Sequence, residues 1–255
     1  MIISHEHKFI FLKPTKVAGS SVELFLSDLC GPDDVITPVY GIVFGDDDEI
    51  QCKRLGIRGP QNYREKLRNL GLHEWLLALE VRLGLRHPHA VRKLFSFSDH
   101  QIAETVRERV GARIFESYEI ISILRDPFTF AVSRYNYDMA VRRKTPEELS
   151  FADFVMNNPQ ALVQNKKITA IDGRVIVDTW LRFDRLDEDL QRWLAGRGLH
   201  SRFRIGDIRL KDSRKLPHKV AFEDCYRGNQ DAIDLISLLW KPEIAAHGFD
   251  IPPST

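Results

Sequence analysis

Residues 8–29 restrict the fold more than any other stretch of the sequence. Lys8-Phe9-Ile10-Phe11-Leu12 is apolar after its first residue, the mark of a strand buried on both faces. Lys13-Pro14-Thr15-Lys16-Val17-Ala18-Gly19-Ser20-Ser21 follows as a loop of small and basic residues. Val22, Leu24, Phe25, Leu26 and Leu29 then supply the apolar face of a helix that ends near Gly31-Pro32. Strand, small-residue loop, helix is the layout that aims backbone N–H groups at a helix N-terminus, where anions bind. Ala18, Gly19, Ser20 and Ser21 let an anion approach the backbone, two hydroxyls can donate, and Lys16 supplies a cation. The loop is not a Walker A motif, because no Gly-Lys-Ser/Thr closes it and the lysine precedes Gly19. On these residues alone, a tight turn with a solvent lysine is an open alternative.

The alternation continues along the chain. Residues 31–60 read as irregular, with an acidic run at 45–49, and the pattern predicts a helix over 61–85. Val91–Phe97 is a second strand candidate, and Ser98 and Gln101 have the spacing of a capping box, which predicts a helix over 99–110. Glu119–Leu124 is a third buried strand, followed by Arg125-Asp126-Pro127, with Asp126 placed to cap a helix and Pro127 at its first position. Arg125 therefore falls at the carboxyl edge of the sheet, where ligands of open α/β sheets collect, and its planar fork suits a phosphate. Pairing with Asp126 or Asp138 is its structural alternative. Further elements are a helix over 149–156, a strand over 175–183, a helix over 186–194, and a helix over 229–247 that Pro242 should kink or split. Strands alternating with helices predict an α/β fold with a mainly parallel central sheet flanked by helices, and no linker divides residues 1–255, which read as one domain.

Composition narrows the function. The 37 Lys+Arg and 36 Asp+Glu of 255 residues leave a formal charge of +1, which argues against nucleic acid as a partner held by bulk charge. Cys30, Cys52 and Cys225 have neither a disulfide framework nor metal-ligand spacing, and a reducing compartment is the simplest reading. Phe9–Leu12 is too short for a signal-peptide core or a membrane span, so the expectation is a cytoplasmic protein with no membrane partner.

Taken together, two of these segments resemble a known family. Lys16-Val17-Ala18-Gly19-Ser20-Ser21 behind an apolar strand resembles the 5′-phosphosulfate loop of sulfotransferases, whose carbohydrate-type branch most often has Pro-Lys-Thr-Ala-Gly-Thr-Ser. Ile123-Leu124-Arg125-Asp126-Pro127-Phe128 through Ser133-Arg134-Tyr135 resembles that family's 3′-phosphate motif, with a serine eight residues after the arginine. Ser98-Asp99-His100, Leu181-Arg182-Phe183-Asp184-Arg185-Leu186 with Asp189, and His247-Gly248-Phe249 are similar to further family segments, whereas 31–90 is divergent. Thr15 stands where the family usually has proline, and Val17 where it has threonine.

The resemblance implies a P-loop-NTPase-like sulfotransferase fold. It also implies transfer of a sulfuryl group from 3′-phosphoadenosine 5′-phosphosulfate (PAPS) to an acceptor hydroxyl, of a small molecule or a glycan, with no metal. Lys16 would meet the charge on the leaving bridging oxygen. Backbone groups of Val17, Ala18, Gly19, Ser20 and Ser21 would hold the phosphosulfate, and Arg125 and Ser133 the 3′-phosphate. Ser213 and Arg214 lie where relatives close a loop over the nucleotide. His100 is the candidate base, held neutral if it lies in the first turn of the helix that Ser98 caps; a carboxylate is the alternative. Rival readings are a nucleotide kinase using ATP and magnesium, and a non-catalytic binder of adenosine 3′,5′-bisphosphate. The acceptor and the oligomeric state have no signature in the sequence.

Overall fold

The computed structural model describes residues 1–38, 48–64, 76, 79–80, 82–85, 96–208, 216 and 218–254. Its centre is a mixed five-stranded sheet in the order β3-β1-β2-β4-β7. Strand β1 (Ile2–Ser4) pairs antiparallel with β2 (Phe9–Leu12), Ile2 opposite Phe11, and with β3 (Val35–Ile36) on its other side. Strand β4 (Glu119–Leu124) runs parallel to β2, with Leu12 opposite Ser122. Thr179–Arg182 in turn is parallel to β4. The expected parallel arrangement thus holds for the three strands β2, β4 and Thr179–Arg182. It fails at β1 and β3, short antiparallel strands; β3 lies in the stretch read as irregular, and β1 precedes the first element read from the sequence.

Chain order explains the layers. Helix α1 (Gly19–Ser27) follows β2, α2 (Asp48–Leu55) lies in the stretch expected to be irregular, and α3 (Ala103–Val110) and α4 (Ala112–Ser117) meet at Gly111, whose φ is 82°. Helix α5 (Pro127–Arg142) follows β4. Then come α6 (Phe151–Asn157), α7 (Pro159–Val163) and α8 (Lys166–Thr169). A separate hairpin of β5 (Ala170–Ile171) and β6 (Arg174–Val175) precedes β7 (Thr179–Arg182), so the single strand expected over 175–183 is two elements. Helix α9 (Leu186–Gly196) follows, then α10 (Phe222–Tyr226), α11 (Gln230–Leu239) and α12 (Lys241–His247). Pro242 does split the last long helix, sitting in the first turn of α12, where a missing N–H costs nothing.

Period-2 alternation in β2 and β4 sorts the core onto two faces of the sheet. Phe9, Phe11, Ile121 and Ile123 pack with Val22 and Phe25 of α1 and Leu190 and Trp193 of α9. Ile10, Leu12 and Ile120 pack on the other face with Ala103 and Val106 of α3 and Phe115 of α4. Each of these phenylalanines contributes about 1.5–3 kcal/mol by leaving water. A third cluster joins α5, α6 and α11 through Phe130, Tyr135, Phe154, Ile233 and Ile236. The three cysteines are buried and none is in a disulfide among the described residues. Among the described residues, no helix is long and apolar enough to cross a membrane.

Candidate functional site

Because β2 and β4 are parallel neighbours, the segments that leave Leu12 and Leu124 emerge at one edge of the sheet. The loop after β2 is held in an uncommon shape: Lys16 and Ala18 have φ of 60° and 59°. Gly19 is favoured for a separate reason, since a Cβ there would lie 2.7 Å from Lys13 Cγ and something would have to shift. At the start of α1 the amides of Ser21 and Val22 both bond to Ala18 O, and Ala18 offers no side-chain cap. The N–H groups of Val17, Ala18, Gly19 and Ser20 have no acceptor among the described residues. Successive uncommitted donors at a positive helix end are the kind of groups that an anion can accept from. Ser20 and Ser21 are buried in the same first turn, and Val17 turns its side chain into the core. The methyl groups of Val17 thus serve packing at the position where the family has a hydroxyl.

The arginine at the end of β4 reaches this loop directly. Arg125 Nη1 donates to Lys16 O at 2.7 Å, and Nε donates to Thr129 Oγ1 at 3.3 Å. The Phe183 ring lies 4.1 Å from the guanidinium carbon, a cation–π contact from the segment after β7. Neither carboxylate weighed as a structural partner takes it: Asp126 caps α5 through the Thr129 N–H, and Asp138 pairs with Arg134 and Arg142. Burial lowers the Arg125 pKa to about 10, with Asp126 opposing, so the group stays charged at neutral pH. The hydroxyl of Ser133, two turns along α5, has no hydrogen-bond partner among the described residues. One turn further, Tyr137 was missed in the sequence; its ring lies 4.1 Å from Lys16 Nζ. The Ser133/Tyr137 spacing of four on a helix was the signal that could have found it.

His100 is at the same edge, for a different reason from the one expected. Helix α3 begins at Ala103 with extended Ile102 before it, so His100 precedes the helix and has no first-turn dipole to keep it neutral. Gln101 Oε1 accepts from Ser98 N and Ser98 Oγ, closing a small loop instead of a full capping box. His100 Nδ1 lies 2.9 Å from Lys13 O. A carbonyl only accepts, so Nδ1 carries the proton and Nε2 the lone pair. Burial lowers the His100 pKa to about 4, against the raising effect of Asp99, whose Oδ2 is 3.4 Å from Nε2. Burial, not the helix end, keeps the imidazole neutral.

Beneath these groups runs a buried charge chain that sequence reasoning did not find. Lys13, 1% exposed, pairs with Glu23 at 2.6 Å and Asp99 at 3.5 Å. Glu23 also accepts from the Thr37 hydroxyl and the Met1 amine. Burial would raise the Glu23 pKa, but the Lys13 ammonium and the Met1 amine overcome it and hold the carboxyl low. His5 bonds Tyr118 and His7 bonds Leu29 O, both away from this edge, and the expected Ser213 and Arg214, with strand residues 91–95, lie outside the described residues. A cleft of about 490 Å³ flanks the outer strand β7 near Glu119, Thr179 and Arg197, toward the opposite end of the strands from the loop. No family model, curated protein or solved structure matches the chain.

Proposed function

We propose that the chain is a sulfotransferase that moves a sulfuryl group from PAPS to an acceptor hydroxyl. The observation that carries the reading is the bond from Arg125 to the Lys16 carbonyl, which makes the loop and the arginine turn one anion-binding edge. The 5′-phosphosulfate would lie on the free N–H groups of Val17–Ser20. The 3′-phosphate would take the remaining guanidinium N–H groups of Arg125 and the Ser133 hydroxyl. Positioning and electrostatics then do most of the catalysis.

In the transfer, the acceptor oxygen forms a bond to sulfur as the bond from sulfur to the bridging oxygen breaks. The acceptor proton passes to His100 Nε2, and Asp99 faces the imidazolium that results. Lys16 meets the charge on the bridging oxygen, and adenosine 3′,5′-bisphosphate leaves. Thermal denaturation with adenosine 3′,5′-bisphosphate, 5′-AMP and ATP-Mg²⁺ tests the reading. The bisphosphate at a hundredfold over its Kd should stabilise by about 2.7 kcal/mol. Equal stabilisation by 5′-AMP would remove the role of Arg125 and Ser133, and a response to ATP-Mg²⁺ alone would favour a kinase.

A further inference from the structure

Thr15, between the end of β2 and Lys16, gives its whole polar complement to the segment before α8. Asn165 Oδ1 accepts the Thr15 N–H at 2.8 Å and the Thr15 hydroxyl at 3.0 Å, and Asn165 Nδ2 donates to the Thr15 carbonyl at 3.0 Å. Gln164 Nε2 donates to the same hydroxyl at 2.9 Å. The Asn165 amide therefore pairs with Thr15 as a neighbouring strand would, across 150 residues of sequence. Asn165 is 6% exposed, so these bonds have little competition from water.

Val17 anchors the loop in the core, but packing beside Thr15 is incomplete. A cavity of about 30 Å³ lies against it, lined by Pro14, Val17, Arg125, Asn165 and Trp240 among others. Atoms that face a void forfeit their dispersion contacts, so hydrogen bonds carry more of the positioning at Thr15. Two consecutive carbonyls are secured, Thr15 by Asn165 and Lys16 by Arg125, and the N–H groups of Val17–Ser20 remain uncommitted. The pairing also accounts for threonine where the family has proline. Proline would fix φ but has no N–H for Oδ1 to accept. Here a hydrogen-bonded clamp does the stiffening.

We propose that Asn165 is a positioning residue for the anion-binding loop: its pairing with Thr15 holds Val17–Ser20 in the shape that grips the 5′-phosphosulfate and has no part in holding the 3′-phosphate. This rests on the sulfotransferase reading and assigns a residue to one end of its donor site. Calorimetric titration of wild type, Asn165→Ala and Thr15→Val with adenosine 3′,5′-bisphosphate and adenosine 3′-monophosphate separates the two ends. Asn165→Ala should weaken the bisphosphate about tenfold, the worth of one to two net hydrogen bonds, and leave the 3′-monophosphate unchanged. Thr15→Val keeps the backbone pairing and loses only the hydroxyl, so about a threefold loss is expected, and this milder variant carries the test if Asn165→Ala does not fold. Unchanged bisphosphate affinity in the folded variants overturns the proposal. So does an equal loss for both ligands, which a merely structural asparagine would give. Wild type that binds neither ligand removes the sulfotransferase reading itself.

Discussion

Replacing Lys13 by methionine should destabilise the protein by about 3 kcal/mol, the low end of the 3–5 kcal/mol for breaking a buried ion pair. Lys13 Nζ lies 2.6 Å from Glu23 Oε2, and both side chains are 1% exposed. Methionine keeps the shape of the lysine stem, so little cavity is created and the cost is mainly that of an uncompensated carboxylate. The Thr37 hydroxyl and the Met1 amine still face Glu23, which sets the estimate at the low end. Against a typical total stability of about 5–15 kcal/mol the loss is large. Urea unfolding at pH 7.5, followed by circular dichroism and tryptophan fluorescence, measures it. Adding Glu23→Gln should recover at least half of the loss, because the orphaned charge is gone. The penalty should also shrink toward pH 4, since a carboxyl without its lysine protonates more readily. A cost below about 1 kcal/mol, or no recovery in the double variant, would refute the buried pair as the source of stability.

His100→Ala and Lys16→Ala should each abolish turnover, followed as bisphosphate release, while His100→Ala leaves bisphosphate affinity unchanged; wild-type turnover in His100→Ala sinks its role as base. With the His100 pKa lowered to about 4 by burial, the base stays unprotonated and activity should hold from pH 8 down to about 5. A midpoint near 6.5, the value of a free imidazole, would contradict the burial argument. The linked stability has a definite sign. The unfolded chain gains a proton on this group below 6.5 and the folded one only near 4, so stability falls as pH drops through that window. Gly19→Ala should cost about 1–3 kcal/mol and weaken bisphosphate binding, because Lys13 beneath it is held by its ion pairs; unchanged urea unfolding would show that the lysine stem yields freely.

The loop and the arginine turn were legible because each follows a continuous apolar run and carries its own punctuation. Pro127 and the Asp126 cap mark the start of α5 locally, and small residues mark the start of α1. His100 was placed at the correct edge with an incorrect cause. Ser98 and Gln101 have capping-box spacing, but extended Ile102 delays the helix to Ala103, and spacing alone does not register a burial that lowers the pKa. Strands β1 and β3 were not legible because three and two residues are too few to display a period. Asn165 was invisible for another reason: its partner is a backbone far away in sequence, and side-chain-to-backbone pairing leaves no pattern in composition. Glu23 occupied a helix position that polarity alone would assign to solvent, and only the fold brings Lys13 to it.

The close approach of Gly19 to the Lys13 stem has a historical consequence. A lineage that exchanged this glycine for a larger residue while Lys13 still crossed beneath it would strain the loop and the buried pair at once. Position 19 is released only by a residue at 13 that lacks a Cγ there, and such a residue would leave Glu23 without its ammonium, so the glycine and the ion pair are tied together.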